Sequence, residues 1–162
     1  MSRLRTRDVS DRERLAALRR FLLLTVMVGV VGMGLELLLI GHLEDRWQLV
    51  PIGLLPAGLV VLAWHVSRPS DDSARGVRLL MALFVASGVL GTGLHYNGNQ
   101  EFELEMYPSM AGTELVQKTL TGATPVLAPG SMALLGLVGF AAVHGFSAKS
   151  QNVSGKTGED AS

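Results

Sequence analysis

The stretch FLLLTVMVGVVGMGLELLLIGHL, residues 21–43, decides how this chain is read. It is long enough as a helix to cross the roughly 30 Å hydrocarbon core of a bilayer, and its only charged residue is Glu36. An amphipathic helix of a soluble bundle would alternate polar and apolar faces. No polar face exists here, so the segment reads as a transmembrane span.

Three further stretches read the same way. Residues 49–66 follow an interfacial Trp47, residues 77–94 follow a short polar turn, and residues 125–146 close the apolar part of the chain. The bulk composition agrees, since 48% apolar residues and a mean hydropathy of +0.35 are high for a soluble domain of this length. The expected fold is an all-α integral membrane protein, a bundle of four transmembrane helices. Residues 1–20 form a basic N-terminal segment, 21–146 the transmembrane domain with an outer loop at 95–124, and 147–162 a polar, disordered tail. Ser10 and Glu13 fit a capping box opening a helix that runs into the first span. The apolar run after the arginine-rich start is too long for a secretory signal and lacks a small-residue exit, so the first span is expected to remain as an anchor.

Orientation follows from the basic residues. Arg3, Arg5, Arg7, Arg12, Arg14, Arg19 and Arg20 precede the first span, Arg68, Arg75 and Arg78 lie between the second and third, and Lys149 and Lys156 follow the fourth. The other two connections hold Arg46 and Lys118 alone. The positive-inside rule then places both termini in the cytoplasm. Asn152-Val-Ser154 matches a glycosylation acceptor, but on the wrong side to be used. The compact loops suggest a bacterial inner or plasma membrane. Acidic and basic residues balance at 14 each, which gives no reason to expect a nucleic-acid partner. There is no cysteine, excluding disulfides, thiolate metal sites and thiol nucleophiles.

An internal repeat is visible. Gly29-Val-Val-Gly32-Met-Gly34-Leu-Glu36 recurs at an offset of 59 as Gly88-Val-Leu-Gly91-Thr-Gly93-Leu-His95. This suggests a duplicated helical hairpin, spans one and two repeated as three and four, with parallel halves. Residues at i, i+3 and i+7 share a helix face, so Gly29, Gly32 and Glu36 form one stripe and Gly88, Gly91 and His95 another. Small residues let membrane helices approach closely. The expectation is that spans one and three pack through these stripes and set Glu36 against His95. A carboxylate inside hydrocarbon costs at least roughly 2.5–3.5 kcal/mol on insertion scales and normally faces a partner or a wet cavity.

Polar groups gather at the outer end: His42, Glu44, Asp45, Asn97, Asn99 and Glu101. The run Glu101-Phe-Glu103-Leu-Glu105-Met106 alternates with period two, as an extended segment would, with its acids on one face and about 6.6 Å apart. The two outer loops together carry a net charge of about −4 and should attract cations. The candidate metal ligands are therefore Glu36, His42, Glu44, His95, Glu101, Glu103 and Glu105. A mixed His and carboxylate set suits zinc or another divalent metal, although no recognised ligand spacing is present. The plainer account is that acids are left outside by topology and that Glu36 and His95 are a satisfied pair.

Residues 110–121 form a short amphipathic stretch resting on the outer surface or roofing the bundle. Pro56, inside the second span, is expected to kink its helix. His65 and His144 sit at matching inner positions, which would allow axial haem ligation, but a role as interfacial residues is preferred. No nucleophile–base set, phosphate loop or dinucleotide fingerprint is present, so an enzyme is the less favoured class. Three functions are carried forward. They are a binder or transporter of a cation or polar solute at the outer mouth, as a homo-oligomer; a structural or assembly subunit of a larger membrane complex; and a b-type haem module.

Overall fold

The computed structural model describes residues 2–41, 43 and 45–147. His42, Glu44, Lys149, Lys156 and the Asn152 acceptor lie outside the described residues, as does all but the first residue of the 147–162 tail. Five helices follow in order: α1 Ser2–Leu39, α2 Leu49–Ser67, α3 Asp71–Met106, α4 Gly112–Leu120 and α5 Gly130–Ala142. No strand occurs among the described residues. By length and apolar composition α1, α2 and α3 can each cross a membrane, while α5 is a shorter apolar helix.

Each helix ends for a local reason. α1 stops where Gly41 adopts φ +67°, the left-handed conformation that glycine accepts without a Cβ clash. Its end therefore falls at Leu39, short of the Leu43 expected from hydropathy. The chain then turns through Asp45, whose side-chain carboxylate accepts from Trp47 N, and restarts at Leu49. α2 carries Pro51 in its first turn, where the missing N–H costs nothing, and continues through Pro56 to Ser67. Pro69 prevents further extension. α3 opens on a reciprocal cap in which Ser70 Oγ accepts from Ser73 N and Ser73 Oγ accepts from Ser70 N. Asp71 and Asp72 in its first turn oppose the helix dipole favourably.

α3 departs most from expectation. Its 36 residues span about 54 Å, well beyond a bilayer core, and it carries on through the Glu101–Met106 run. That run is helical, not extended. Glu101 and Glu105 then share a face while Glu103 points away from it, so the carboxylate row expected from alternation does not form. The segment 95–124, expected as an outer loop, is likewise mostly helix, made of the end of α3 followed by α4.

Packing corrects the expectation about the glycine stripes. α1 packs on α2 and α5, and α3 packs on α2, α5 and α4; α1 and α3 are not a substantial pair. The Gly88 and Gly91 stripe of α3 meets α5 instead. A Cβ at Gly88 would lie 2.5 Å from Ala133 N and 2.7 Å from Pro129 O, and one at Gly91 would lie 2.8 Å from Pro129 Cβ. From the α5 side, a Cβ at Gly136 would lie 2.7 Å from Met81 O. The two helices approach this closely because at each of these contacts one of them carries glycine. On α1, Gly29 meets Leu135 of α5, but Gly32 faces outward with no described residue within 4 Å of where its Cβ would be.

The core is apolar and lies between α1, α2, α3 and α5. Val26, Val30, Leu62, Val77, Met81, Phe84 and Val143 are fully buried. The outside is apolar too: Leu24, Val28, Leu35, Leu39, Val60, Leu79, Leu90, Leu134 and Leu137 are all exposed. A water-soluble protein does not present apolar surface of that extent, whereas a helix set in hydrocarbon must.

Candidate functional site

Two polar regions interrupt this apolar body, one around the far end of α3 and one around the C-terminal turn of α5. At the first, Asn99 on α3 is almost fully buried, at 3% exposure. Its Nδ2 donates to Thr119 O at 2.9 Å and Thr124 O at 2.8 Å, and its Oδ1 accepts from Thr124 N at 3.1 Å and Thr124 Oγ1 at 2.6 Å. One side chain thus holds both the end of α4 and the loop after it. Gly122 makes room for it, since a Cβ there would lie 2.8 Å from the amide. One turn earlier, His95 Nδ1 lies 3.0 Å from Pro125 O; a carbonyl only accepts, so Nδ1 carries the proton. His95 and Asn99 together fasten the α4 segment along α3. Beside them Thr119 Oγ1 is buried without a hydrogen-bond partner among the described residues.

Glu36 is placed differently. It sits on the outward face of α1, exposed, four residues after the open Gly32 and among the exposed Val28, Leu35 and Leu39. No side-chain hydrogen bond or ion pair engages it among the described residues. The expected pairing of Glu36 with His95 fails because α1 and α3 are not a substantial pair and Glu36 is exposed. Among the described residues no three His, Asp or Glu side chains come together as a metal site would require. Glu101 and Glu105 are exposed, Glu103 is half-buried, and His42 and Glu44 fall outside the described residues.

The second region was legible only in part. His65, 4% exposed, has Nδ1 2.8 Å from Ser73 Oγ and its ring edge-on to Phe146 at 4.9 Å. His144 is exposed, so the two histidines matched by sequence occupy unlike surroundings. Two arginines converge on the carbonyls of the turn that follows α5. Arg19 of α1 donates to His144 O at 2.8 Å, and Arg78 of α3 donates to Val143 O at 3.3 Å and Phe146 O at 3.4 Å. Gly145 turns the chain there at φ +61°. Sequence reasoning counted both arginines only as topogenic charges. The available signals were Arg78 just inside an apolar run, where a charge is retained for a contact, and glycine directly after the last apolar turn.

No protein-family model, curated protein or solved structure matches this chain. Its functional reading therefore rests on these two regions and on the outward face of α1.

Proposed function

We infer that the chain is a structural or assembly subunit of a larger membrane complex, docking a partner span against the outward face of α1. Glu36 carries this reading: it is an ionisable group on an apolar helix face, with no partner among the described residues. Such a group in a membrane span is expensive unless something pairs with it. Gly32, one turn away and open, allows a second helix to approach closely at that depth. The partner's chemistry follows from the charge. A symmetric second copy would bring Glu36 against its own image, two carboxylates that cannot both ionise at close range. A different chain, presenting Lys, Arg, His or an amide at that depth, relieves both.

In the same reading α5 crosses the membrane with its flanking turns, which makes four spans, and the arginine asymmetry puts both termini in the cytoplasm. Hydrogen bonds at both ends support this, since Gly130 N and Ser131 N bond to carbonyls before α5, and His144 N and Phe146 N to carbonyls within and after it. The duplicated hairpin stays a proposal about ancestry, because its matched stripes do different packing work. A divalent-cation site at the outer mouth is the second-ranked reading, as the described part of its ligand set does not converge.

A photoreactive phenylalanine at Leu35 or Leu39 in living cells tests the docking. The expected result is a crosslink to one membrane protein whose captured span carries a basic or amide side chain, lost in Glu36→Leu and weakened in Glu36→Gln. Probes at Leu134 and Leu137 on α5 should not capture it. Crosslinking at Leu35 that is indifferent to Glu36→Leu would sink the idea.

A further inference from the structure

The C-terminal turn of α5 holds more positive charge than capping requires. Arg19 and Arg78 are both half-buried, and neither is ion-paired among the described residues, unlike the exposed Arg14–Asp11 and Arg75–Asp72 pairs. Each spends one terminal nitrogen on carbonyls of the turn after α5, which leaves further guanidinium N–H donors. Beside them is an open cavity of about 600 Å³ lined by Arg78, Phe140, Ala141, His144 and Gly145. It continues onto an apolar strip, because Leu134, Leu137 and Ala141 follow one another along a single exposed face of α5 that leads to His144 in the turn beyond it.

We propose that this cavity is a binding site for the headgroup of an anionic phospholipid. The phosphate meets the Arg78 guanidinium and the His144 ring, with Arg19 adding its field, and one acyl chain lies along Ala141, Leu137 and Leu134. The chemistry recognised is a phosphate monoanion. The lipid is favoured over free phosphate by the apolar strip leading directly out of the cavity. Arginine suits the task because its planar fork binds phosphate oxygens in pairs and is only weakly hydrated. Basic pockets between helices at the cytoplasmic edge of a membrane bind anionic headgroups in this manner. The site is separate from the Glu36 face and stands whether or not a partner docks there.

Native mass spectrometry of the purified full chain, released from mild detergent after equilibration with phosphatidylglycerol or phosphatidylcholine of equal chain length, tests this. One phosphatidylglycerol should be retained in preference to phosphatidylcholine by roughly ten-fold or more. Ala141→Trp, which fills the cavity from an exposed position, and Arg78→Gln should each abolish the preference. Arg14→Gln, on the exposed stretch of α1, should leave it intact. Millimolar inorganic phosphate should not displace the lipid. Equal retention of the two lipids overturns the proposal, as does a preference that survives Ala141→Trp. An equal loss in Arg14→Gln would mean diffuse surface charge instead of a site, and displacement by phosphate would mean a free-anion site. Because Arg78 also caps α5, thermal unfolding is followed in parallel. Ala141→Trp breaks no hydrogen bond and decides the matter if Arg78→Gln fails to fold.

Discussion

Asn99 shows what a single polar residue can do at the rim of an apolar bundle. Its amide is satisfied at both ends by the last turn of α4 and the loop that follows it. Replacing it with alanine leaves Thr119 O, Thr124 O and Thr124 N without these partners. Each buried polar group so exposed to desolvation costs about 1–3 kcal/mol, offset where water can enter. Asn99→Ala is therefore expected to speed amide hydrogen exchange across 112–124 by at least roughly ten-fold while the exchange of α2 and of the apolar part of α3 stays unchanged. Uniform acceleration throughout would show that Asn99 supports the whole molecule and not one latch. The sequence grouped Asn99 with the polar residues expected at the outer end, but did not mark it as a fastener. Three of its four partners are main-chain groups 20 and 25 residues away, and main-chain groups carry no sequence signal.

Among the elements, the repeat and the packing part company. Periodicity establishes which residues share a face; it does not establish which helix covers that face. Gly32 and Gly91 occupy matching places in the two similar octets, yet Gly91 lies against Pro129 and Gly32 against none of the described residues. Gly91→Leu and Gly136→Leu should push α3 and α5 apart and destabilise the protein by about 1–3 kcal/mol, the usual cost of overpacking. Gly32→Leu should leave the unfolding temperature of the isolated chain in detergent unchanged within a degree or two of the parent, on the order of a surface substitution. A matching loss at Gly32 would mean that α1 does meet another helix of the same chain there. α2 was legible almost to the residue, since Trp47, Pro51 and Pro69 bracket it with steric signals. The end of α3 was not. Glu101–Met106 alternates, but Glu, Leu and Met are good helix formers, and prolonging an existing helix needs no new nucleus. Continuation therefore prevailed over a pattern only six residues long.

At the scale of the molecule, the open question is what α5 does, since its 13 helical residues reach only about 20 Å. Two features extend it. The turn Val126–Pro129 before it is wound by bonds from Ala128 N to Pro125 O and Gly130 N to Leu127 O, and the turn after it by His144 N to Ala141 O. The arginines capping its end come from α1 and α3, which ties the end of α5 to the start of α3's apolar run and to the lower part of α1. In a membrane that places Ser147 on the side of Ser67 and opposite Ser109. The natural absence of cysteine makes the comparison clean. Ser67→Cys, Ser109→Cys and Ser147→Cys are all exposed positions, and each can be probed with an impermeant maleimide on intact bacterial cells expressing the chain. Labelling of Ser109→Cys alone is expected, with the other two reacting only after permeabilisation. Labelling of Ser109→Cys and Ser147→Cys together would mean that α5 re-enters without crossing, leaving three spans. Labelling of Ser67→Cys and Ser147→Cys without Ser109→Cys would invert the protein. It would also put the arginine-capped cavity on the outer leaflet, so this one measurement constrains the topology and the lipid site together.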